Sequence, residues 1–144
     1  MPTQYVVGYD GSDASRRALE FAMDRASASG ASILVVHVLE WSPYSFLTPN
    51  ELEERHKRRT EELERAESAL MAPLKQELSG HSIAIETAIK YGHVADTICA
   101  VAKDAGAAQI FVGRHGQRDL TTRIFGSVAG TLAQCAPVPC TIVP

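Results

Sequence analysis

Cysteine is scarce in this 144-residue chain, which has three thiols, Cys99, Cys135 and Cys140, and no CxxC spacing. A sparse, odd set excludes a disulfide-stapled miniprotein and suits reduced thiols in the cytoplasm. Apolar runs are short as well, far below the ~20 residues that span a bilayer. The opening residues, Met1 to Tyr5, carry neither the basic start nor the apolar stretch of a secretory signal. Positive charge is not in excess either: 14 Lys and Arg stand against 17 Asp and Glu, a net charge of −3. That balance offers no basic footprint to a nucleic-acid backbone. Two glycine fingerprints are also missing. Without GxxxxGK(S/T) the chain is no P-loop nucleotidase, and without GxGxxG it lacks the dinucleotide signature. The expected setting is cytoplasmic, with neither membrane nor nucleic acid as partner.

What is present has an ordinary globular balance, 45% hydrophobic and 22% charged. A chain of this length buries roughly two-thirds of its unfolded surface, enough for one proper core. Residues 1–144 read as a single domain, with no linker and no internal repeat. Gln4 to Tyr9 form a β-rich run that stops at the turn cluster Asp10-Gly11-Ser12-Asp13. Ala14, Ala18, Ala22 and Ala26 then recur at helical spacing, with Gly30 at the C-cap position. Ile33 to Val38 is almost wholly apolar, as in a strand buried on both faces of a parallel sheet. Thr48-Pro49-Asn50-Glu51 is a capping box with proline at the first helical position. The helix it starts carries Leu63, Leu70, Leu74 and Leu78 as its apolar stripe, and Pro73 should kink or split it. Residues 82–89 alternate like a strand. Val94, Ile98, Val101, Ala102 and Ala105 are helical, closed by Gly106. Gln109 to Val112 is a fourth strand, Val128 to Cys135 a short helix, and 138–143 a last strand with Pro139 inside it. Strands alternating with helices imply an α/β fold with a parallel sheet covered on both faces.

In open parallel sheets, ligands bind beyond the carboxyl ends of the strands, where the strand order reverses. The loop after strand 1 holds Asp10 and Ser12. After strand 4 come Gly113, Arg114, His115 and Gly116, then Gln117 and Arg118, and finally Gly126-Ser127 at the start of the last helix. Glycines admit a polyanion close to the backbone, and a helix N-terminus offers N–H groups and a partial positive charge. Each glycine also has a plainer reading: a tight turn at 113 and 116, a helix entry at 126. Asp10 has two readings as well. It accepts hydrogen bonds from a ribose or an adenine amine, or it caps the first helix and fixes its own turn.

Gly113-x2-Gly116-x9-Gly126-Ser127 resembles the G-x2-G-x9-G-(S/T) motif of ATP-binding universal stress proteins. The likeness runs through the whole chain, from Val6-Val7-Gly8-Tyr9-Asp10-Gly11-Ser12, through Val35-Val36-His37-Val38, to residues 137–143. The resemblance implies a Rossmann-like open sheet of five parallel strands in order 3-2-1-4-5. It implies that Gly113, Gly116, Gly126, Ser127 and Val128 cradle a triphosphate, with Arg114, His115, Gln117 and Arg118 alongside. It places adenine and ribose against Gly8, Tyr9, Asp10 and Val38. ATP, with Mg²⁺, is the implied cofactor. Binding with slow or absent hydrolysis is expected, because no general base is evident. Two positions depart from the family pattern: Gln109 replaces a commonly acidic residue, and Arg114 a commonly small one.

Pro139 removes an N–H and confines the last strand to a sheet edge. An apolar edge strand invites pairing with a second copy, and the resemblance agrees, so a homodimer through 138–143 is expected. The competing functions are a nucleotide-free dimeric module of the same fold and an ATP pyrophosphatase-type enzyme. His37 reads as a satisfied core histidine. His93 and His115 both follow strand ends, yet two histidines make no zinc site. The mixed-charge run from Glu51 to Glu67 reads as a solvated helix face. Trp41, Tyr44 and Phe46 form a loop whose packing the sequence leaves open.

Overall fold

A computed structural model describes residues 3–40, 48–115 and 127–144. The chain order is β1 (Gln4–Gly8), α1 (Asp13–Ser29), β2 (Ser32–Glu40), α2 (Pro49–Arg65), a π-helical turn (Ala66–Met71), α3 (Ala72–Leu78), β3 (Ile85–Gly92), α4 (Val94–Ala105), β4 (Gln109–Gly113), α5 (Ser127–Cys135) and β5 (Cys140–Val143). The five strands form one sheet in order β3-β2-β1-β4-β5, and every pairing is parallel. The expected fold class and strand order are both observed.

Side chains alternate across a strand, and the core divides accordingly. Val7, Val35 and Phe111 pack on one face with Leu19, Ala22 and Met23 of α1, and with Met71, Leu74 and Leu78. Val6, Val36, Ile110 and Val112 pack on the other with Ile98 and Ala102 of α4 and Leu132 of α5. Ala14, Ala18, Ala22 and Ala26 of α1 are all buried; their small side chains let the helix sit close on the sheet. Gly30 caps α1 in the left-handed region at φ 75° and donates its N–H to Ala26 O.

Three boundaries differ from the sequence reading. Pro73 does not split the long helix at its own position. The distortion lies one turn earlier, as a π-helical turn over Ala66–Met71, with proline in the first turn of α3. Proline clashes with the carbonyl one turn before it, so the widened ladder falls on that side. Met71 becomes fully buried, while Leu63 of the expected stripe is exposed and α2 buries no residue. β3 begins at Ile85 and runs to Gly92, three residues beyond the alternating stretch 82–89, because it pairs with β2 as far as Glu40↔Gly92. β5 begins at Cys140, so Pro139 precedes the strand; its carbonyl still accepts from Ile110 N at 2.9 Å. β5 is an edge strand as expected. Among the described residues, no helix is long and apolar enough to cross a membrane.

Candidate functional site

β1 is followed by α1 and β2 on one side of it, while β4 lies on the other side. The strand order therefore reverses between β1 and β4, and the carboxyl ends of these two strands, Gly8 and Gly113, are where a ligand crevice forms. Their neighbourhood is set by the pairing Val7↔Phe111, one residue before Gly8 and two before Gly113.

The loop after β1 is held by its own polar groups. Asp10 Oδ1 accepts from Ser12 N at 2.9 Å, closing a turn around Gly11 at φ 81°, a conformation that favours glycine. Ser12 caps α1, its hydroxyl accepting from Ser15 N at 3.1 Å. Ser15, 3% exposed, donates its hydroxyl to Ser12 O at 2.9 Å and accepts from Asp10 N at 3.3 Å. The turn-fixing reading of Asp10 is thus real. A carboxylate accepts several hydrogen bonds at once, so a ligand contact is compatible with it. The sequence reading missed the parts played by Gly11 and Ser15; the signal was the Ser12-x-x-Ser15 spacing behind an Asp-Gly turn.

Tyr9 closes the strand end. Its N–H donates to Val36 O at 2.9 Å, and its carbonyl is 2.8 Å from His37 Nδ1. His37 is therefore satisfied, as expected, by the backbone of the crevice. β2 continues beyond β1, to Glu40. Val36 directs its carbonyl at β1, so strand alternation aims the N–H and C=O of Val38 the same way, into the space where β1 has ended. Val38, the last residue of the expected second strand, lies two residues before the observed end of β2. On the α1 side, Arg16 pairs through both terminal nitrogens with Glu77 of α3, at 2.5 and 3.0 Å. That guanidinium holds the Glu77 carboxyl below the ordinary carboxylate range.

Gly8 and Gly113 owe their identity first to packing. A Cβ on Gly8 would lie 2.9 Å from Ile98 Cδ1 and 3.1 Å from Val112 Cγ1. On Gly113 it would lie 2.8 Å from the carbonyl carbon and Cβ of Ala14. Gly113 is the last residue of β4, with no left-handed backbone. The turn reading of this glycine is corrected: the first turn of α1 crosses too close for any side chain.

Arg114 donates its N–H to Val143 O at 2.8 Å, extending the β4–β5 ladder by one residue. Its exposed side chain donates from Nε to His115 Nε2 at 3.1 Å. Ser127 is exposed at the first position of α5, and Val128 is half-buried against the second core. The structure brings Gly8, Tyr9, Asp10, Val38, Gly113, Arg114 and His115 to one edge of the sheet. Gly116, Gln117, Arg118 and Gly126 lie outside the described residues, as do Trp41, Tyr44 and Phe46. His93 and His115 do not converge. They follow β3 and β4, which are three strand spacings apart, about 14 Å. Among the described residues no group of three or more His, Cys, Asp or Glu could hold a metal ion.

The profile of the universal stress protein family matches residues 1–144. A universal stress protein of Thermus aquaticus, from the 3′ region of the QAH/OAS sulfhydrylase, is 31% identical over 140 residues, covering 96% of each chain. The universal stress protein UspA from Lactobacillus plantarum superposes with a TM-score of 0.86 at 24% identity, over 99% of this chain and 97% of that one. Two similar folds were solved with a nucleotide. One is a universal stress protein in complex with cAMP, with a TM-score of 0.69, 23% identity and coverage of 99% and 97%. The other, from Arabidopsis thaliana with AMP bound, has a TM-score of 0.63, 21% identity and coverage of 99% and 90%. With the family pattern spanning the chain and a relative above 30% identity along nearly all of it, this chain belongs to the universal stress protein family.

Proposed function

We propose that this universal stress protein binds ATP with Mg²⁺ in the crevice between β1 and β4, and hydrolyses it slowly or not at all. The observation that carries the reading is the meeting of the Gly8–Asp10 loop, the inward-turned backbone of Val38 and the Gly113–His115 strand end at the switch point of the sheet. Asp10 would take a ribose hydroxyl or the adenine amine, and Val38 the edge of the base. Gly113, Arg114, His115, Gly116, Gln117, Arg118, Gly126, Ser127 and Val128 would line the phosphates. The start of α5 suits an anion, since its first N–H groups have no intrahelical partner and its dipole is positive there. Mg²⁺ in such sites is held mainly by water and phosphate oxygens and spreads the phosphate charge, so it requires no cage of side chains. The nucleotides bound to the two similar folds, cAMP and AMP, support an adenine ligand.

In this reading the protein is a nucleotide-occupied dimeric switch. Ile110 N bonds Pro139 O and Arg114 N bonds Val143 O, so the odd-numbered residues of β5 face β4. By alternation Cys140 and Ile142 present their N–H and C=O groups outward, a row suited to a second copy of the strand.

Calorimetric titration of Mg-ATP into protein freed of nucleotide tests the proposal. Saturation near one ATP per chain is expected, and Gly126→Val should abolish it while circular dichroism stays unchanged. A folded wild-type protein that gives no heat refutes it. One observation favours a second reading, the nucleotide-free dimeric module: Ala14 explains Gly113 without any ligand. That reading predicts the silent titration, with a dimer still seen by light scattering.

A further inference from the structure

The three cysteines are dispersed in sequence over α4, the end of α5 and the start of β5. The fold collects them. α4 and α5 pack against each other, and Cys99 and Cys140 lie against the same core. Across the α4–α5 seam Cys135 is near enough to Cys99 to oppose its ionisation, and Cys99 in turn opposes that of Cys140. Exposure separates the three: Cys135 is exposed, Cys99 and Cys140 are half-buried. The Cys135 thiol donates to Thr131 O at 3.1 Å, within its own helix.

We propose that Cys135 and Cys99 are a reversible disulfide site joining α5 to α4, closed by exchange with a small-molecule disulfide. The Cys135 thiolate attacks one sulfur of the reagent RS–SR. The reagent's S–S bond breaks, RS⁻ leaves, and Cys135 carries a mixed disulfide. The Cys99 thiolate then attacks the Cys135 sulfur, and the second RS⁻ leaves. Two protein thiols give up two electrons and two protons; one RS–SR gains both electrons and, with the protons, becomes two RSH.

Exposure orders these roles, because thiol exchange depends on access as well as on the thiolate fraction. Cys135 is the thiol a dissolved reagent reaches first. Burial pushes the Cys99 thiol up, with Cys135 and the Asp96 carboxylate adding to the effect. Such a thiol reacts poorly with a dissolved reagent, yet it attacks a sulfur already held beside it with the advantage of an intramolecular reaction. Cys140, pushed up to about 11 by burial and then by Cys99, stays reduced. Pairing Cys135 with Cys140, the choice suggested by their nearness in sequence, is not the one the thiol contacts favour. A closed bond needs S–S at about 2.05 Å and the two Cα atoms within about 7 Å, so the oxidised protein must hold α5 against α4 within those limits.

The test treats the full chain with excess glutathione disulfide at neutral pH and quenches with N-ethylmaleimide, followed by intact mass and peptide mapping. Two of the three thiols should be lost to maleimide, with a mass decrease of two hydrogens and a cross-linked Cys99–Cys135 peptide. Dithiothreitol should restore all of them. Cys135→Ser, at an exposed position, should abolish the cross-link, Cys140→Ser should leave its yield unchanged, and Cys99→Ser should trap glutathione on Cys135. A glutathione adduct persisting on wild-type Cys135 overturns the proposal. So does a Cys135–Cys140 peptide, a chain-to-chain disulfide on a non-reducing gel, or a full count of alkylated thiols after prolonged exposure.

Discussion

Replacing Gly113 by alanine isolates the packing that shapes the crevice. The new Cβ would stand 2.8 Å from the carbonyl carbon and Cβ of Ala14 and 2.9 Å from its oxygen. Carbon atoms rest at about 3.5 Å or more, so roughly 0.7 Å must be found, and most of the obstructing atoms are backbone in the first turn of a helix. Overpacking of this kind costs about 1–3 kcal/mol. Removing a glycine from an extended position returns about 0.5–1 kcal/mol through the unfolded chain. The net expectation is about 1–2 kcal/mol of lost stability. A chain of this size shifts its Tm by about 2–4 °C per kcal/mol, so calorimetry should find a fall of about 2–8 °C. Gly80→Ala is the control: nothing lies within 4 Å and its backbone is not left-handed, so its Tm should hold or rise slightly. Gly113→Ala should also weaken Mg-ATP binding, because the displaced first turn of α1 begins at Ser12 and carries the Asp10 turn. A Gly113→Ala protein that melts at or above the Gly80→Ala protein refutes the packing account.

Ser15→Ala leaves Asp10 N without its side-chain acceptor in a buried corner; the expected loss is about 1–2 kcal/mol, read as a lower urea midpoint with an unchanged m-value. Asp10→Asn keeps the turn acceptor and should retain stability, whereas Asp10→Ala should lose about 1 kcal/mol; equal urea midpoints for the two would refute the turn assignment. Cys140 titrates at about 11, above the ordinary thiol value of about 8.5. Its folded value is raised, so its contribution is complete below the unfolded value and is lost as pH rises towards 11; thiol alkylation rates measured against pH should climb through that same window, and a plateau by pH 9 would contradict it. For Glu77 the sign is opposite. Arg16 depresses the carboxyl, so the pair contributes above the ordinary carboxylate value and is lost as pH falls through the lower one. A side-chain NMR titration should show that low midpoint in the wild type and an ordinary one in Arg16→Gln.

The sequence alone determined the elements and their kind. Alanine at every fourth position of α1, the unbroken apolar run of β2 and the Thr48 capping box each act over a few residues, so local spacing reveals them. The glycine spacing at 113, 116 and 126 and the Asp10-Gly11-Ser12 turn were legible for the same reason, and with them the edge of the sheet where the proposed nucleotide would sit. Tertiary structure decided what depends on contacts between distant residues. It moved β3 to Ile85–Gly92, the stretch that pairs with β2 from Ile33 to Glu40, and it set the helical distortion ahead of Pro73 and buried Met71. It gave Gly113 its reason in Ala14, a residue ninety-nine positions earlier (113 − 14), since close approach of strand and helix exists only once both are docked. It also parted His93 from His115 and drew Cys99 to Cys135, because sheet order and helix packing, rather than distance along the chain, determine which side chains meet.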